Sequence, residues 1–368
     1  MTPPAAEPSA PAAVRRRPAL GIVGPYPPPY GGVSVGIQRL ARYLEARGVD
    51  LLVYNEAGPS FPERRVVGAG GPRRLLWRLF TAGPRRILHY QSPDWRMRCL
   101  VALWGLLTGR RSVISIQGES LAPTVRAAGP RRALVRFFLR RTSAVITANP
   151  EIEAQVRALV GPRARVRTIP AFLPPPLDAP DPPLPADLER FLGQRSPRLL
   201  WVGWALLREG RDLYGLDLTL DLVERLRGRF PGLGCVLCFS GIRDAQHWER
   251  LLEGAERRGL RDALFTVGGL PEIHPLFRRV DACLRPTLSD GDSVAVREAL
   301  ALGTPVVASD AAPRPPACFT FRSGDAADFA RATAQALEDL PAARARTKEA
   351  TMEDNGAKIL ALYRELGL

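Results

Sequence analysis

At 368 residues the chain is longer than one hydrophobic core ordinarily serves, so two domains are expected. Apolar residues make up 46% and charged residues 24%, the balance of a soluble globular protein, and the best apolar run, Cys99 to Leu107, is about half a membrane span. The net charge of +15 is lopsided: residues 1–180 hold 27 Arg, no Lys and 10 Asp or Glu, which leaves −2 for the remainder. Between Arg64 and Arg141, 17 arginines stand against only Asp94 and Glu119. A coding bias explains Arg over Lys but not this asymmetry, which points to an anionic surface, lipid or nucleic acid.

Residues 1–17 read as a Pro/Ala tail too poor in apolar side chains to order itself, with Arg15-Arg16-Arg17 and no apolar signal core, so export is not expected. Ala19 to Val23 is a short buried strand, followed by a proline-rich loop and Gly31-Gly32. Val33 to Arg47 carries a helical apolar stripe that Gly48 ends, and Val49 to Tyr54 is the next strand. Arg86 to Tyr90, Ser112 to Ile116 and Ser143 to Thr147 continue the alternation and predict a parallel sheet. Prolines cluster between Pro170 and Pro197, the clearest composition shift in the chain. A second series of strands and helices follows from Arg198 to Ala308, and Asn355 to Leu366 is an amphipathic helix. The expected division is a tail (1–17), a Rossmann-like domain (18–175), a linker (176–197), a second Rossmann-like domain (198–345) and a helical segment (346–368).

Five cysteines, an odd number, argue against a closed disulfide framework. Cys235 and Cys238 form a CxxC inside the strand Leu233 to Phe239. Residues three apart in a strand point to opposite faces, so this pair is expected in the core rather than on a metal. His89, His247 and His274 are scattered and not expected to ligate a metal. Gly68-Ala-Gly-Gly71 lacks the third spaced glycine of a dinucleotide loop and reads as a turn.

The most informative stretch runs from Leu284 to Asp310. A strand ends in a glycine-containing turn, and a helix starts near Asp292 or Ser293, both good N-caps. That helix stops at Gly303, and Pro305 opens another strand. Its first amides are expected to face a cleft, a ready site for a diphosphate.

Asp290 and Glu298, separated by seven positions, precede Ala301-Leu-Gly-Thr-Pro-Val-Val307. This stretch resembles the retaining glycosyltransferases of family 4. Pro27 to Val33 looks like that family's Gly-Gly loop, and Asp212 to Leu218 and Ile169 to Phe172 resemble segments of its bacterial polysaccharide-assembly members. The resemblance implies the α/β GT-B fold, with two Rossmann-like domains facing each other across a cleft, the first for the acceptor and the second for a nucleotide-sugar donor. It implies transfer with retention, with no metal and no cofactor beyond the nucleotide sugar. Asp290, Arg208 and Arg211 are the expected catalytic residues. Gly31, Gly32, Gly291, Asp292, Ser293 and Val294 are expected to bind the donor, Glu298 its ribose, and Gln117 the acceptor or its sugar.

The departures are specific. Asp290 stands where the family usually has Glu, Trp204 follows Gly203 in place of Arg, and Gln117-Gly118 replaces His-Gly. Gln117 cannot act as an acid or base near neutral pH. Arg208 and Arg211 are the cations expected to replace the missing one. Asp290-Gly-Asp292 also spells a metal-binding DxD, a reading its place before the helix disfavours.

Arg73 to Phe80 and Arg131 to Arg141 interleave Arg with large apolar residues, as helices lying in a membrane interface do. The expected location is cytoplasmic, peripheral on the inner face of the plasma membrane, with a saccharide or lipid-linked acceptor. No nucleic-acid motif accompanies the arginines, so no nucleic-acid partner is expected. The rival reading is an inactive relative that binds lipid or a partner enzyme.

Overall fold

The structure is a computed structural model and describes residues 17–56, 58–118, 121, 129–175, 180–350 and 352–368. The expected Pro/Ala tail up to residue 16 lies outside the described residues.

In the N-terminal half the strands are β1 (Leu20–Gly24), β2 (Leu51–Asn55), β3 (Val66–Gly68), β4 (Ile87–Tyr90), β5 (Arg111–Ile116), β6 (Ala144–Thr147) and β7 (Val166–Thr168). They form one seven-stranded sheet in the order β3-β2-β1-β4-β5-β6-β7, with parallel pairing throughout. Between them run α1 (Gly32–Glu45), α2 (Pro72–Ala82), α3 (Trp95–Thr108), α4 (Pro130–Arg141) and α5 (Pro150–Val160). The inner strands β1, β4 and β6 are buried on both faces, which is why they read as short apolar runs rather than alternating ones.

The C-terminal half opens with α6 (Ala186–Gln194) and β8 (Arg198–Ala205), then the two-residue strands β9 (Leu207–Arg208) and β10 (Arg211–Asp212). Next come α7 (Leu216–Arg227), β11 (Gly234–Ile242), α8 (Ala245–Arg257), β12 (Leu264–Gly268), α9 (His274–Arg279) and β13 (Ala282–Arg285). The series ends with α10 (Val294–Ala301), β14 (Val306–Ser309), β15 (Phe319–Phe321), α11 (Ala326–Glu338), α12 (Leu340–Thr347) and α13 (Asn355–Glu365). Its six-stranded sheet, β12-β11-β8-β13-β14-β15, is again parallel, while β9 and β10 form a separate antiparallel hairpin. This is the GT-B architecture. Strand order reverses beside β1 in one sheet and beside β8 in the other, and ligands of open parallel sheets bind beyond the carboxyl ends at such points.

The proline-rich stretch expected as linker is not all linker. Ala186–Gln194 is helical, with Asp187 and Glu189 in its first turn, and it buries Leu188, Phe191 and Leu192 in the C-terminal core. The apolar spacing of those three residues outweighs the prolines before them. The last helix, α13, crosses back and packs Ile359, Leu360, Leu362 and Tyr363 into the N-terminal core. Cys235 and Cys238 lie on β11 in the two different core clusters on its two faces, and burial pushes both thiols up to about 12.

Candidate functional site

The cleft is built by loops at the carboxyl ends of β1, β5, β8 and β13. From the N-terminal domain comes Gly31, which caps α1; its amide donates to Ser34 Oγ at 2.9 Å, and Ser34 Oγ donates to the Pro29 carbonyl at 2.7 Å. From the C-terminal domain comes the β13–α10 loop. Ser293 is the N-cap of α10, its Oγ accepting from Val296 N, so the helix begins at Val294, two residues beyond Asp292.

The two sides meet. A Cβ on Gly31 would stand 3.4 Å from the Trp204 indole, and one on Gly32 3.9 Å from the Val294 side chain. Gly291 approaches the N-terminal domain so closely that a Cβ there would overlap the Gln117 carbonyl oxygen. Only glycine fits this crossing. Asn149, the N-cap of α5, reinforces it by donating from Nδ2 to the Gly291 carbonyl at 2.9 Å. Gly31, Gly32, Gly291, Val294 and Gln117 are thus brought together, with the Trp204 indole beside Gly31.

The two acidic residues of the motif are not bare carboxylates. Asp290 accepts from Arg285 at 3.0 and 3.2 Å and from Arg314 Nη1 at 2.9 Å. Burial acts to raise its pKa, but the two guanidinium groups outweigh burial and hold it down to about 2. It is therefore a counter-ion for two arginines rather than a proton carrier at neutral pH. Arg314 is 3% exposed, and its Nη2 is buried without a partner. Asp292 accepts from Arg297 Nε at 2.6 and 2.7 Å, while burial raises its pKa. Both carboxylates of the DxD spelling are taken by guanidinium groups.

Glu298 is 2% exposed and accepts from Arg39 of α1 on both oxygens, at 2.9 and 3.1 Å. Gln117 donates from Nε2 to Gln91 Oε1 at 3.2 Å. Behind Gln91 lies His89, bonded to Ser115 Oγ at 2.8 Å and to Tyr363 Oη of α13, with its pKa pushed down to about 3 by burial. The histidines are not the isolated residues their scatter suggests. His247 Nε2 lies 2.8 Å from Asp212, and His274 lies 3.4 Å from Glu272 and 3.3 Å from Asp181.

Arg208 and Arg211 are cross-strand partners in the β9–β10 hairpin. Arg208 Nη1 lies 3.5 Å from Ser289 Oγ, next to Asp290. Arg211 Nη2 lies 3.2 Å from where a Cβ on Gly324 would stand, and that position is 4.0 Å from the Leu288 side chain. Asp212 fixes the next turn, accepting from the amides of Tyr214 and Gly215 at 3.0 Å each.

Residues 196–339 match the family model described as glycosyl transferases group 1, and residues 31–171 match the glycosyl transferase 4-like domain. The chain is built from two glycosyltransferase domains. No curated protein matches it by sequence. Among solved structures it is similar to Anabaena Alr3699/HepE in complex with UDP and glucose, at 15% identity and TM-score 0.72 over 94% of this chain and 100% of that one. It is similar to sucrose-phosphate synthase from Thermosynechococcus elongatus at 18% identity, TM-score 0.68, over 95% and 99% of the chains. WaaG, a glycosyltransferase involved in lipopolysaccharide biosynthesis, matches at 14% identity, TM-score 0.67, over 95% and 100%. At these identities the likeness shows the shared fold.

Sequence reasoning missed Arg39, Asn149 and Arg314 in these glycosyltransferase domains. For Arg314 a signal existed: an arginine in Ala312-Pro-Arg-Pro-Pro316, just beyond the carboxyl end of β14, falls under the same rule that flagged Arg208. Away from the cleft, α3 contacts both α2 and α4. These three helices hold ten arginines and no acidic residue. They carry six of the eight large apolar side chains exposed among the described residues, including Trp77 and Leu107 at 67% each. No helix among the described residues is long and apolar enough to cross a membrane.

Proposed function

We propose that this protein transfers a sugar from a nucleoside-diphosphate sugar to a saccharide or lipid-linked saccharide acceptor, with retention of anomeric configuration and without a metal. The observation that carries this reading is the convergence of the Gly31-Gly32 loop and the amino end of α10 on one cleft, ringed by arginines around Asp290. A departing diphosphate gains negative charge, and preorganised donors aimed at that charge contribute most of the rate enhancement in such chemistry. The amides of Gly291 to Val294 offer partial charges, and Arg208, Arg211, Arg285 and Arg314 offer whole ones.

In this reading Asp290 does not attack or protonate anything: it holds Arg285 and Arg314 in place, and the guanidinium groups supply the stabilisation. The leaving phosphate takes the acceptor proton, so Gln117 serves as a hydrogen-bonding wall rather than a base. Pairing of Asp290 and Asp292 with arginines supports a reaction that uses no metal there.

Peripheral attachment to an anionic cytoplasmic membrane surface belongs to the same reading. It is supported by the exposed Trp77, Phe80, Leu106, Leu107, Leu134 and Phe137 set among arginines. A catalytically inactive relative that binds lipid or a partner enzyme is the second reading, and the pairing of both motif carboxylates by arginines favours it. A thermal-shift screen with UDP, GDP and ADP, followed by assay of donor hydrolysis, tests the proposal. One diphosphate should raise the melting point and its sugar ester should be hydrolysed slowly. Stabilisation without any turnover leaves the second reading, and no stabilisation by any of the three refutes the first.

A further inference from the structure

Arg39 belongs to the N-terminal domain, yet three of its hydrogen bonds go to the other domain: to both oxygens of Glu298 and, at 2.8 Å, to Glu272 Oε2. A fourth goes to the Leu173 carbonyl at 3.0 Å, at the end of the first domain. The side chain is 4% exposed, and Nε is buried without a partner. Carboxylate oxygens of Glu272 and Glu298 lie within 4.8 Å of each other, with His274 in the same cluster. A buried carboxylate and a part-buried one at that separation repel, and the Arg39 guanidinium bonded to both offsets that repulsion. Burial alone weakens the charge of Arg39, but the two glutamates outweigh burial and hold its pKa above the ordinary value. A guanidinium is flat, permanently charged and forked, which fixes the plane of the Glu298 carboxylate as well as its charge.

We propose that Arg39 is a positioning residue for the nucleoside half of the donor: from the acceptor domain, it holds the Glu298 carboxylate in the orientation that the ribose diol needs. The inference rests on the reading of Glu298 as the ribose contact. Arg39 uses one acceptor position on each Glu298 oxygen, and an ionised carboxylate has about four, so capacity for two hydroxyls remains. A cavity of about 310 Å3 lies beside the cluster, lined by Gln38 and Arg42 of α1 and by Pro271, Glu272 and His274.

The test uses the full chain and the nucleoside diphosphate that stabilises it, beside its 2′,3′-dideoxy analogue, with affinities measured by calorimetry. Wild type should prefer the hydroxylated ligand. Arg39→Gln should weaken that ligand about 10- to 150-fold, the span of a charge-assisted hydrogen bond, and leave the analogue's affinity nearly unchanged. Arg39→Lys keeps the charge without the fork and should fall between. Glu272→Gln added to Arg39→Gln should restore part of the affinity, because it removes the carboxylate that opposes Glu298. A purely structural role predicts that Arg39→Gln weakens both ligands equally, or neither, and either result overturns the proposal. If Arg39→Gln does not fold, the lysine variant decides: equal loss for the two ligands overturns it. Wild type binding none of UDP, GDP or ADP removes the donor-site reading and this inference together, whereas wild-type discrimination retained in Arg39→Gln removes only this one.

Discussion

Replacing Arg314 by methionine should lower turnover about 10- to 150-fold while changing donor affinity much less. Methionine approximates the length of the arginine stem and removes its charge. Arg314 is 3% exposed and reaches Asp290 at 2.9 Å, so water screens little of its field. With it gone, Asp290 keeps only Arg285 at 3.0 Å, and the trio changes from one surplus positive charge to none. The Asp290 carboxyl then rises from about 2 toward its ordinary range but stays ionised at neutral pH, so the loss is of cation, not of protonation state. A hydrogen bond involving a charged group contributes about 1.5–3 kcal/mol, which sets the expected fold-change. Because diphosphate charge is greatest in the transition state, kcat should fall more than the affinity for the donor. Steady-state kinetics with the nucleotide sugar, at saturating acceptor, reads the two quantities separately. Arg314→Lys should lie between wild type and the methionine variant. Wild-type kcat in a folded Arg314→Met protein would refute the assignment of leaving-group charge to this arginine.

Four further outcomes are expected. Glu298→Ala should weaken nucleoside-diphosphate binding by about 1.5–3 kcal/mol in calorimetry, and unchanged binding by a folded variant removes Glu298 from the ribose. The double variant Arg208→Gln, Arg211→Gln should cut turnover more than donor affinity; wild-type turnover assigns the charge to Arg285 and Arg314 instead. Asp290, held at about 2 when folded and near the ordinary 3.9 when unfolded, contributes stability that is present above about pH 4 and lost as pH falls toward 2. Asp290→Asn should therefore flatten the acid limb of the stability curve by about 2 kcal/mol, and an unchanged limb in denaturant titrations contradicts the ion-pair account. The chain should sediment with anionic liposomes at low salt and less so after Trp77→Ser with Phe137→Ser; no sedimentation by wild type refutes the attachment.

What the sequence displayed and what it hid follow from separation along the chain. The strands and the α10 motif were legible because their signals are local: an apolar run, a glycine turn, Ser293 before a helix, Gly303 and Pro305 after it. Helix α6 was hidden by prolines that surround it without entering it. The pairing of charges and polar groups between the two domains was not legible. Arg39 and Glu298 are 259 positions apart, Asn149 and Gly291 are 142, and no periodicity links residues that meet only when two domains face each other. A motif identifies a carboxylate but not the groups that occupy it, and occupancy decides the chemistry. Asp290 flanked by two guanidinium groups organises positive charge, whereas the same residue open to the cleft would be a sugar ligand or a base. The departures Trp204 and Asp290 then form one substitution rather than two defects. Under the proposed reading, Arg285 and Arg314 stand in for the cation absent from the end of β8, and the shorter acidic residue is the one that holds them.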